Sequence, residues 1–395
     1  MRTLHIDIET YSSVDIGKCG VYRYAESEDL EILLFAYAYD HDDVTVLDLA
    51  CGDELTEELI RDIQDPNVIK IAHNATFERV CLSNFSKKPL DPKQWHCTMV
   101  HALSLGLPAS LADVGKALKL DEDKQKMAIG KRLITYFCKP CKPTIANGQR
   151  TRNYPHHDPE RWRLFKEYNR QDVVTEMAIY DRLMKFPLPD SEWRLYSLDQ
   201  WINDYGIKVD ADMMGSVIEF SKEHEKKLRK ECEELTDGIN VHSIVQLKAW
   251  LSEREGRRIE SLTKDDVEEL MKEDIHEDSK RILELRQETG KTSVKKYEAF
   301  ERSLCHDGRI HGAFQFYGAG RTGRWAGRLI QPQNFPRNAF DDIELARKLV
   351  KAKKWDEIEL LYGSMNDVFS TLIRTLIVPP EGMTFAIADY SAIEA

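Results

Sequence analysis

The sequence lacks a long hydrophobic run, a secretory leader and a regular cysteine framework. Its longest apolar stretch, Ile32 to Tyr39, is far too short to cross a bilayer as a helix. Met1 to Thr3 leads directly into a strand-like pattern, so no signal peptide is visible. Eight cysteines are scattered over 395 residues, a pattern typical of a reducing compartment. These absences, with an apolar content of 42%, predict a folded cytoplasmic protein of two or three domains.

Cys138 and Cys141 form the one close cysteine pair in the sequence, and His156 and His157 follow them. A zinc site made of these residues is conceivable, but structural zinc usually takes two well-spaced pairs of ligands. Adjacent histidines are poor partners for one ion. We therefore expect ordinary free thiols in a loop.

Acidic residues are absent from residues 309–337, which contain five arginines, and are sparse in residues 131–170. The second of these stretches has ten lysines and arginines against three acids, although the whole chain has a net charge of −12. Solvated basic faces are one interpretation of both stretches. Aromatic residues lie within them and favour binding to a polyanion. They are Tyr154, Trp162, Phe314, Phe316, Tyr317 and Trp325.

Strand-like and helix-like patterns alternate over the first 185 residues. Strict alternation in "TLHIDIET" predicts a strand, and "EILLFAYAYD" with "VTVLDL" is typical of a hairpin. Helices are predicted at 54–65 and 76–85, with a short buried strand between them in "VIKIAHN". A long helix is predicted to begin at Pro159, with Asp158 as its N-cap. This order predicts an α/β fold of mixed layers.

A proline-punctuated segment, residues 185–193, marks the first predicted domain boundary. Beyond it a charged helical region extends to about Leu304 and contains two long amphipathic segments, at 211–236 and 264–288. A last strand is predicted in "TFAIADYS", residues 384–391. The predicted domains are residues 1–187, 191–304 and 305–395.

Four acids and a phenol occur in three separate elements of the first 185 residues. The period of two places Asp7 and Glu9 on the same face of the first strand. Glu78 follows the strand "VIKIAHN", and Tyr168 and Asp172 are four residues apart on the long helix. The first pair alone is also compatible with an edge strand that has a solvated face.

All-oxygen ligands from three elements suit a hard cation such as Mg²⁺, with Mn²⁺ as a substitute. The chemistry that such a site serves is two-metal hydrolysis of a phosphodiester. A neutral phenol is a poor base but a good donor, so Tyr168 is expected to orient the attacking water.

Three motifs resemble those of the proofreading 3′–5′ exonucleases with the ribonuclease-H-like fold. They are Asp7-x-Glu9, Asn74-x-x-Phe77-Glu78 and Tyr168-x-x-x-Asp172. The resemblance covers residues 1–185 and implies that Asp7, Glu9, Glu78 and Asp172 ligate two Mg²⁺ ions. It also implies that Asn74 contacts DNA. The second motif of the family ends in Asp, whereas this chain has Glu78, which leaves a ribonuclease-H-like domain without activity as an alternative.

The C-terminal part resembles the start of the polymerase domain of family A DNA polymerases. The residues that carry this resemblance are "RTGR" at 321–324, "QPQNFPRN" at 331–338 and "DYSAIEA" at 389–395. The layout is similar to a Klenow-type fragment of bacterial or phage origin, with residues 191–304 as its helical thumb and 305–395 as the opening of its palm.

The resemblance assigns a role to each matched residue. It implies that Asp389 is the first metal-binding aspartate of the polymerase site and that Glu394 crowds the sugar 2′ position, which favours deoxynucleotides. It further implies that Arg324, with Arg321, Gln333 and Asn334 nearby, contacts the template-primer duplex. An amide or a guanidinium can bind the minor-groove acceptors that all base pairs share.

The family's second metal-binding aspartate and its nucleotide-binding helix follow the first motif, and this chain ends at Ala395. We therefore expect the polypeptide alone to retain Mg²⁺-dependent exonuclease activity and DNA binding but not to polymerise. Residues after about Gln331 are expected to be poorly held without a partner.

Two other functions fit the same sequence. One is a stand-alone exonuclease that acts on single-stranded DNA and uses its C-terminal half as a clamp. The other is a non-catalytic DNA-binding subunit of a split polymerase, in which a second chain supplies the rest of the polymerase domain. In each case the partner is DNA, and no membrane is involved. The expected compartment is the cytoplasm of a bacterium or of a phage-infected host.

Overall fold

The computed structural model describes residues 2–121, 129–236, 238–290, 293–320, 322–336 and 340–388. The chain divides into two compact units. As far as it is described, the first comprises residues 2–209, 302–334 and 379–388, and the second comprises Asp210–Glu301 and Phe335–Val378. These bounds differ from the predicted domain boundaries near residues 187–191 and 304–305. No helix in the described part of the chain is both long and apolar enough to span a membrane.

A mixed five-stranded sheet forms the centre of the first unit. Its strands are β1 Arg2–Tyr11, β2 Glu31–Tyr39, β3 Thr45–Leu47, β4 Val68–Ala72 and β5 Trp95–Cys97. They are arranged in the order β3-β2-β1-β4-β5, with β2 antiparallel to its neighbours and β1, β4 and β5 parallel. The predicted hairpin is β2 and β3, so the mixed α/β fold is confirmed.

Helices pack on both faces of this sheet. In chain order they are α1 Ile16–Ala25, α2 Glu57–Gln64, α3 Thr76–Ser86, α4 Thr98–Ser104, α5 Leu111–Ala117, α6 Gly130–Phe137, α7 Pro159–Leu183 and α8 Asp190–Tyr205. On one face Ile6 and Ile8 of β1 pack with Val80 of α3, whereas on the other Ala36 of β2 packs with Val173 of α7. The sequence patterns predicted α2, α3 and α7 but gave no prediction for α1, α4, α5 or α6.

Helix α7 begins where the sequence predicts. The carboxylate of Asp158 accepts a hydrogen bond from the backbone N–H of Arg161 at 3.0 Å, and Pro159 is the first helical residue. An N-cap of this kind satisfies a backbone donor that has no partner within the helix. The cap thus fixes the start of the helix that carries Tyr168 and Asp172.

The proline-rich break after α7 does not separate the two units, because α8 packs on α3. Arg79 of α3 is buried, and its guanidinium donates to both carboxylate oxygens of Asp204, at 2.7 and 2.9 Å. It also donates to the side-chain oxygen of Gln200 at 3.2 Å. This ion pair between a buried arginine and a partly exposed aspartate has bidentate geometry and holds α8 against α3.

Two short strand pairs complete the first unit. The first consists of β6 Ile207–Lys208 and β7 Arg309–Ile310, and the second of β8 Phe314–Ala319 and β9 Arg324–Gly327. Strands β8 and β9 form an antiparallel hairpin that contains the "TGR" motif at the start of β9.

The second unit is helical. Its helices are α9 Ala211–Thr236, α10 Ile244–Arg254, α11 Lys264–Leu270, α12 Glu277–Gly290, α13 Ser293–Ser303, α14 Ile343–Lys351, α15 Trp355–Tyr362 and α16 Met365–Leu372. The predicted helix at 211–236 is α9. The single helix predicted at 264–288 is wrong, because α11 ends before residue 271 and α12 starts anew. His276 caps α12 by accepting from the N–H of Asp278 at 3.2 Å.

Two expectations for the C-terminal part are corrected. Residues after Gln331 are not poorly held throughout, because α14 and α16 bury Val350, Phe369 and Leu372 almost completely. The strand predicted at 384–391 is absent from its described part, since residues 384–388 have no regular secondary structure there. A strand requires a hydrogen-bonded neighbour, and residues 384–388 pair with none of the described strands.

Candidate functional site

The structure brings three of the predicted metal ligands together. One carboxylate oxygen each from Asp7, Glu9 and Asp172 lies within 4.8 Å of the other two. Asp7 and Glu9 share a face of β1, and α7 packs against that face with Asp172. A β-bulge lies between Glu9 and Thr10 where β1 pairs with β2, and such bulges change the direction in which side chains point.

Asn169 holds the carboxylate of Asp7 in place. This asparagine is fully buried, and its amide nitrogen donates to Oδ2 of Asp7 at 2.6 Å and to the backbone oxygen of Asp7 at 3.2 Å. No sequence motif indicates this residue, although it directly follows Tyr168. An amide that donates to a ligand carboxylate fixes the orientation of that ligand.

A thiol performs a similar role at Glu9. The Sγ of Cys138, a buried residue, donates to Oε2 of Glu9 at 3.7 Å. Burial raises the pKa of the Cys138 thiol and the charge of Glu9 raises it further, so the group stays protonated and acts as a donor. Cys141 has different surroundings, because its sulfur accepts from the side-chain amide of Asn147 at 3.8 Å.

Tyr168 lies beside the three carboxylates. The ring is 1% exposed and stacks on Phe165, with centroids 6.2 Å apart. Burial raises its pKa well above the usual value, and the charges of Asp172, Glu9 and Asp7 raise it further. The phenol is therefore neutral and has a proton to donate. Gly130 of α6 packs against the ring so closely that a β-carbon there would overlap Cε2 of Tyr168.

Glu78 is near the three carboxylates but not among the oxygens that lie within 4.8 Å of one another. It is 4% exposed in the first turn of α3, and its Oε2 accepts no hydrogen bond from the described residues. Burial raises the pKa of Glu78, and the negative charges of Asp7 and Glu9 add to this effect. Acidic oxygens in such surroundings repel one another unless a cation lies between them, so this donor set fits Mg²⁺ or Mn²⁺.

A buried pair extends the same face of β1 and α7. Nδ1 of His5 lies 2.6 Å from Oε2 of Glu176, and both side chains are buried. This pair was not predicted, although its spacing in the sequence places it on the same faces as the acids. His5 precedes Asp7 by two residues in the strand, and Glu176 follows Asp172 by one helical turn.

A cavity of about 390 Å³ opens beside Glu9. It is lined by the end of β1, residues 12–16, Phe77 and the segment from Cys138 to Pro140. Lys139 brings a positive charge from the basic stretch to the wall of this cavity. An anionic chain can therefore approach the carboxylates from this side.

The predicted DNA-binding residues lie at the surface. Arg324 is exposed in β9, and Gln333 and Asn334 are exposed in the turn Pro332–Asn334. The side chain of Gln333 packs directly on Gly327 of β9, where a β-carbon would clash with it. Asn74 is exposed just before α3 with a φ of 73°, a conformation that asparagine tolerates well. Arg321, Asp389 and Glu394 lie outside the described residues.

Comparison with known proteins gives one close relationship. No family model matches the sequence. The chain is 52% identical, over all 395 residues, to a protein named DNA polymerase from Bacillus phage SP02. It spans about 60% of the length of that relative.

Similarity to solved structures is weaker. The POL domain of Pol1 from M. smegmatis, in complex with DNA primer-template and dNTP, matches with a TM-score of 0.47 and 17% identity, over 85% of this chain and 52% of that one. A structure described as the apo form of the nuclease matches with a TM-score of 0.31 and 16% identity, over 50% of this chain and 78% of that one. TM-scores below 0.5 do not establish a shared fold.

Shared identity at half of all positions, without any part of the chain left unmatched, is far beyond chance similarity. The resemblance to DNA polymerases that the sequence motifs indicate is confirmed by it. The chain is homologous along its whole length to a phage DNA polymerase.

Proposed function

We propose that the chain is part of a family A DNA polymerase and that its first unit is a metal-dependent 3′–5′ exonuclease. The observation that carries this proposal is the convergence of Asp7, Glu9 and Asp172, whose oxygens lie within 4.8 Å of one another. Three carboxylates this close need a positive charge between them. Their order and spacing in the sequence match the exonuclease motifs.

Asp7, Glu9 and Asp172 would hold the divalent cations, with Glu78 reaching them on its longer arm. Bound there, Mg²⁺ ions supply positive charge that stabilises the transition state of phosphodiester hydrolysis. The protein's own groups set the geometry. Asn169 fixes Asp7, and the neutral phenol of Tyr168 donates a hydrogen bond that orients the attacking water.

The substrate of this site would be the 3′ end of single-stranded DNA. Lys139 lines the cavity beside Glu9, and Arg152 lies over the ring of Tyr11 with a distance of 3.7 Å to its centroid. The same guanidinium lies 4.7 Å from the ring centroid of Tyr154, a residue that is 42% exposed. An exposed ring next to a cation is a suitable platform for a nucleobase.

The second part of the proposal concerns duplex DNA. Arg324, Gln333 and Asn334 are exposed near one another in the sequence, and Gln333 packs on the strand that carries Arg324. We assign them, with Arg321, to contacts with the template-primer. The polymerase metal ligand Asp389 and the sugar-selecting Glu394 keep the roles that the family resemblance implies.

Release of mononucleotides from end-labelled DNA tests the exonuclease. We expect wild-type protein to shorten single strands from the 3′ end in the presence of Mg²⁺ or Mn²⁺, and a 3′-terminal block to prevent this. The variant Asp7→Ala should lose about 100-fold or more of the rate, whereas Asp42→Ala, at an exposed position in the same unit, should not. Equal rates for wild type and Asp7→Ala would rule the exonuclease out.

One observation favours a second function, DNA binding without cleavage. Glu78 replaces the aspartate of the motif and lies outside the group of three close oxygens. If neither Mg²⁺ nor Mn²⁺ supports cleavage while single-stranded DNA still binds, this second function is the correct one.

A further inference from the structure

We propose that Asp199 of α8 is a positioning residue for DNA binding, because it anchors Trp325 and thereby orients Arg324 on the hairpin of β8 and β9. The inference rests on the DNA contact of Arg324 proposed above. It adds a residue that the sequence motifs do not include.

The carboxylate of Asp199 is buried and surrounded by donors. Its exposure is 1%, and Oδ1 accepts a hydrogen bond from the indole N–H of Trp325 at 2.7 Å. Oδ2 accepts from the side-chain amides of Gln200, at 3.0 Å, and Asn203, at 3.2 Å. Hydrogen bonds to a charged acceptor in a buried site are stronger than those between neutral groups.

The two amides cannot turn round to accept instead. The oxygen of Asn203 already accepts from the backbone N–H of Phe314 at 3.0 Å. The oxygen of Gln200 accepts from the guanidinium of Arg79 at 3.2 Å, which can only donate, so the NH₂ group of Gln200 must also face Asp199. All three neighbours are therefore fixed as donors, and the carboxylate of Asp199 accepts a hydrogen bond from each of them.

The hydrogen bond between Trp325 and Asp199 also sets the direction in which Arg324 points. The indole packs on Phe316 of β8, with centroids 4.9 Å apart, while its N–H points to α8. Successive side chains of a strand point to opposite faces, so holding Trp325 towards α8 turns Arg324 away from it. Arg324 is exposed, as this geometry requires. The hydroxyl of Tyr317 donates to Glu192 at 3.0 Å and, like the hydrogen bond between Phe314 and Asn203, also joins this hairpin to α8.

Whether Asp199→Asn strengthens or weakens DNA binding distinguishes a positioning role of Asp199 from a purely electrostatic one. Replacing Asp199 by Asn removes one negative charge, and long-range attraction alone would then strengthen binding to DNA. The same replacement leaves a donor facing a donor, whichever way the new amide is turned, and so weakens the site that holds Trp325. Weaker binding after loss of an acid is therefore the signature of a positioning role.

The experiment uses the full chain and a primer-template duplex. We expect Asp199→Asn to raise the Kd about tenfold, and Trp325→Phe, which keeps the ring but removes the N–H, to act in the same direction. The matched control is Asp190→Asn, the same charge change at an exposed position of α8, which should bind as tightly as wild type or more tightly. The double variant Asp199→Asn/Arg324→Ala should bind no more weakly than Arg324→Ala alone, because Asp199 acts through Arg324.

A second readout reports on the anchor itself. In protein labelled with ¹⁵N-tryptophan, the indole resonance absent from Trp325→Phe identifies Trp325, and its hydrogen exchange should be slow in wild type and fast in Asp199→Asn. Fast exchange in wild type, or additive losses in the double variant, would overturn the positioning role. If Arg324→Ala binds as tightly as wild type, the proposed duplex contact is wrong, and so is the role of Asp199 in DNA binding. Slow exchange at Trp325 would then show only that the hydrogen bond between Trp325 and Asp199 is present.

Discussion

Two buried acidic sites in the first unit have opposite surroundings. Asp199 is surrounded by three N–H donors, each of which gives a hydrogen bond to its carboxylate. Asp7 accepts a hydrogen bond from Asn169 and lies close to the acids Glu9 and Asp172. Donors around Asp199 suit a residue that holds its neighbours in place, whereas the acids around Asp7 suit a site that binds a cation.

Asn169→Ala tests the support of the metal site. Loss of the hydrogen bond to Asp7 should lower the affinity for Mn²⁺ by about 10- to 100-fold, the usual effect of removing a group that orients a ligand. Isothermal titration with Mn²⁺ measures this, and high Mn²⁺ should restore much of the nuclease rate. The same change at the exposed Asn67 should leave the affinity unaltered. Unchanged affinity in Asn169→Ala would show that Asp7 does not depend on it.

Asp199 predicts a pH dependence of stability. Burial raises its pKa to about 6, although its hydrogen bonds and the charge of Arg79 act in the opposite direction. Because an unfolded aspartate has a pKa of about 3.9, the stabilising contribution is full below about pH 4 and is lost as the pH rises through about 6. The free energy of unfolding of wild type relative to Asp199→Asn should fall by roughly 2 kcal/mol between pH 4 and 7. Urea unfolding across this range measures it, and a constant difference would contradict the raised pKa.

At the scale of elements, α7 and β1 together build the candidate site. One turn after another, α7 presents Tyr168, Asp172 and Glu176 to the face of β1 that carries the acids. Alanines at positions 36 and 38 of β2 lie under α7, and Val173 packs on them. Side chains this small let the helix approach the sheet closely, which brings its carboxylate near those of the strand.

Local periodicity explains which parts of this site could be predicted from the sequence. Asp7 and Glu9 share a face because of the strand period, and Tyr168 and Asp172 because of the helix period. The contacts of Asn169 and Cys138 could not be predicted, since they depend on how closely α7 and α6 approach β1. The prediction of a single helix at 264–288 was wrong because the amphipathic pattern continues through the break between α11 and α12. His276 caps α12 after that break.

Gly130→Ala tests how α6 positions the phenol. A β-carbon at this site would overlap the ring of Tyr168, so the ring must move and the nuclease rate should fall at least about tenfold, as in Tyr168→Phe. The matched control is Gly115→Ala in α5, where the nearest atom would be 3.6 Å from the new carbon. Circular dichroism should show native helix content in both. A wild-type rate for Gly130→Ala would mean that α6 does not fix Tyr168.

At the scale of the whole molecule, charge is unevenly distributed along an acidic chain. The net charge is −12, yet residues 131–170 carry ten basic residues against three acids. This stretch reaches the cavity beside Glu9 through Lys139. A local positive field next to the carboxylates can attract a polyanion that the rest of the surface repels.

Lys139→Ala should weaken the binding of single-stranded DNA and make it less sensitive to salt. Loss of one phosphate contact is expected to reduce the slope of log K against log salt concentration by about 0.7. Fluorescence anisotropy between low and moderate salt measures both quantities. Lys93→Ala, at an exposed site outside the basic stretch, serves as the control. An unchanged slope in Lys139→Ala would place the DNA path elsewhere.

Mn²⁺ binding, followed by electron paramagnetic resonance, shows whether Asp7, Glu9 and Asp172 form a divalent-metal site. We expect wild type and Asp42→Asn to bind Mn²⁺ at a site from which Mg²⁺ displaces it. Asp172→Asn should lose that site while keeping its circular dichroism spectrum, because the group of three close oxygens then loses one carboxylate. Equal Mn²⁺ binding by wild type and Asp172→Asn would contradict the account.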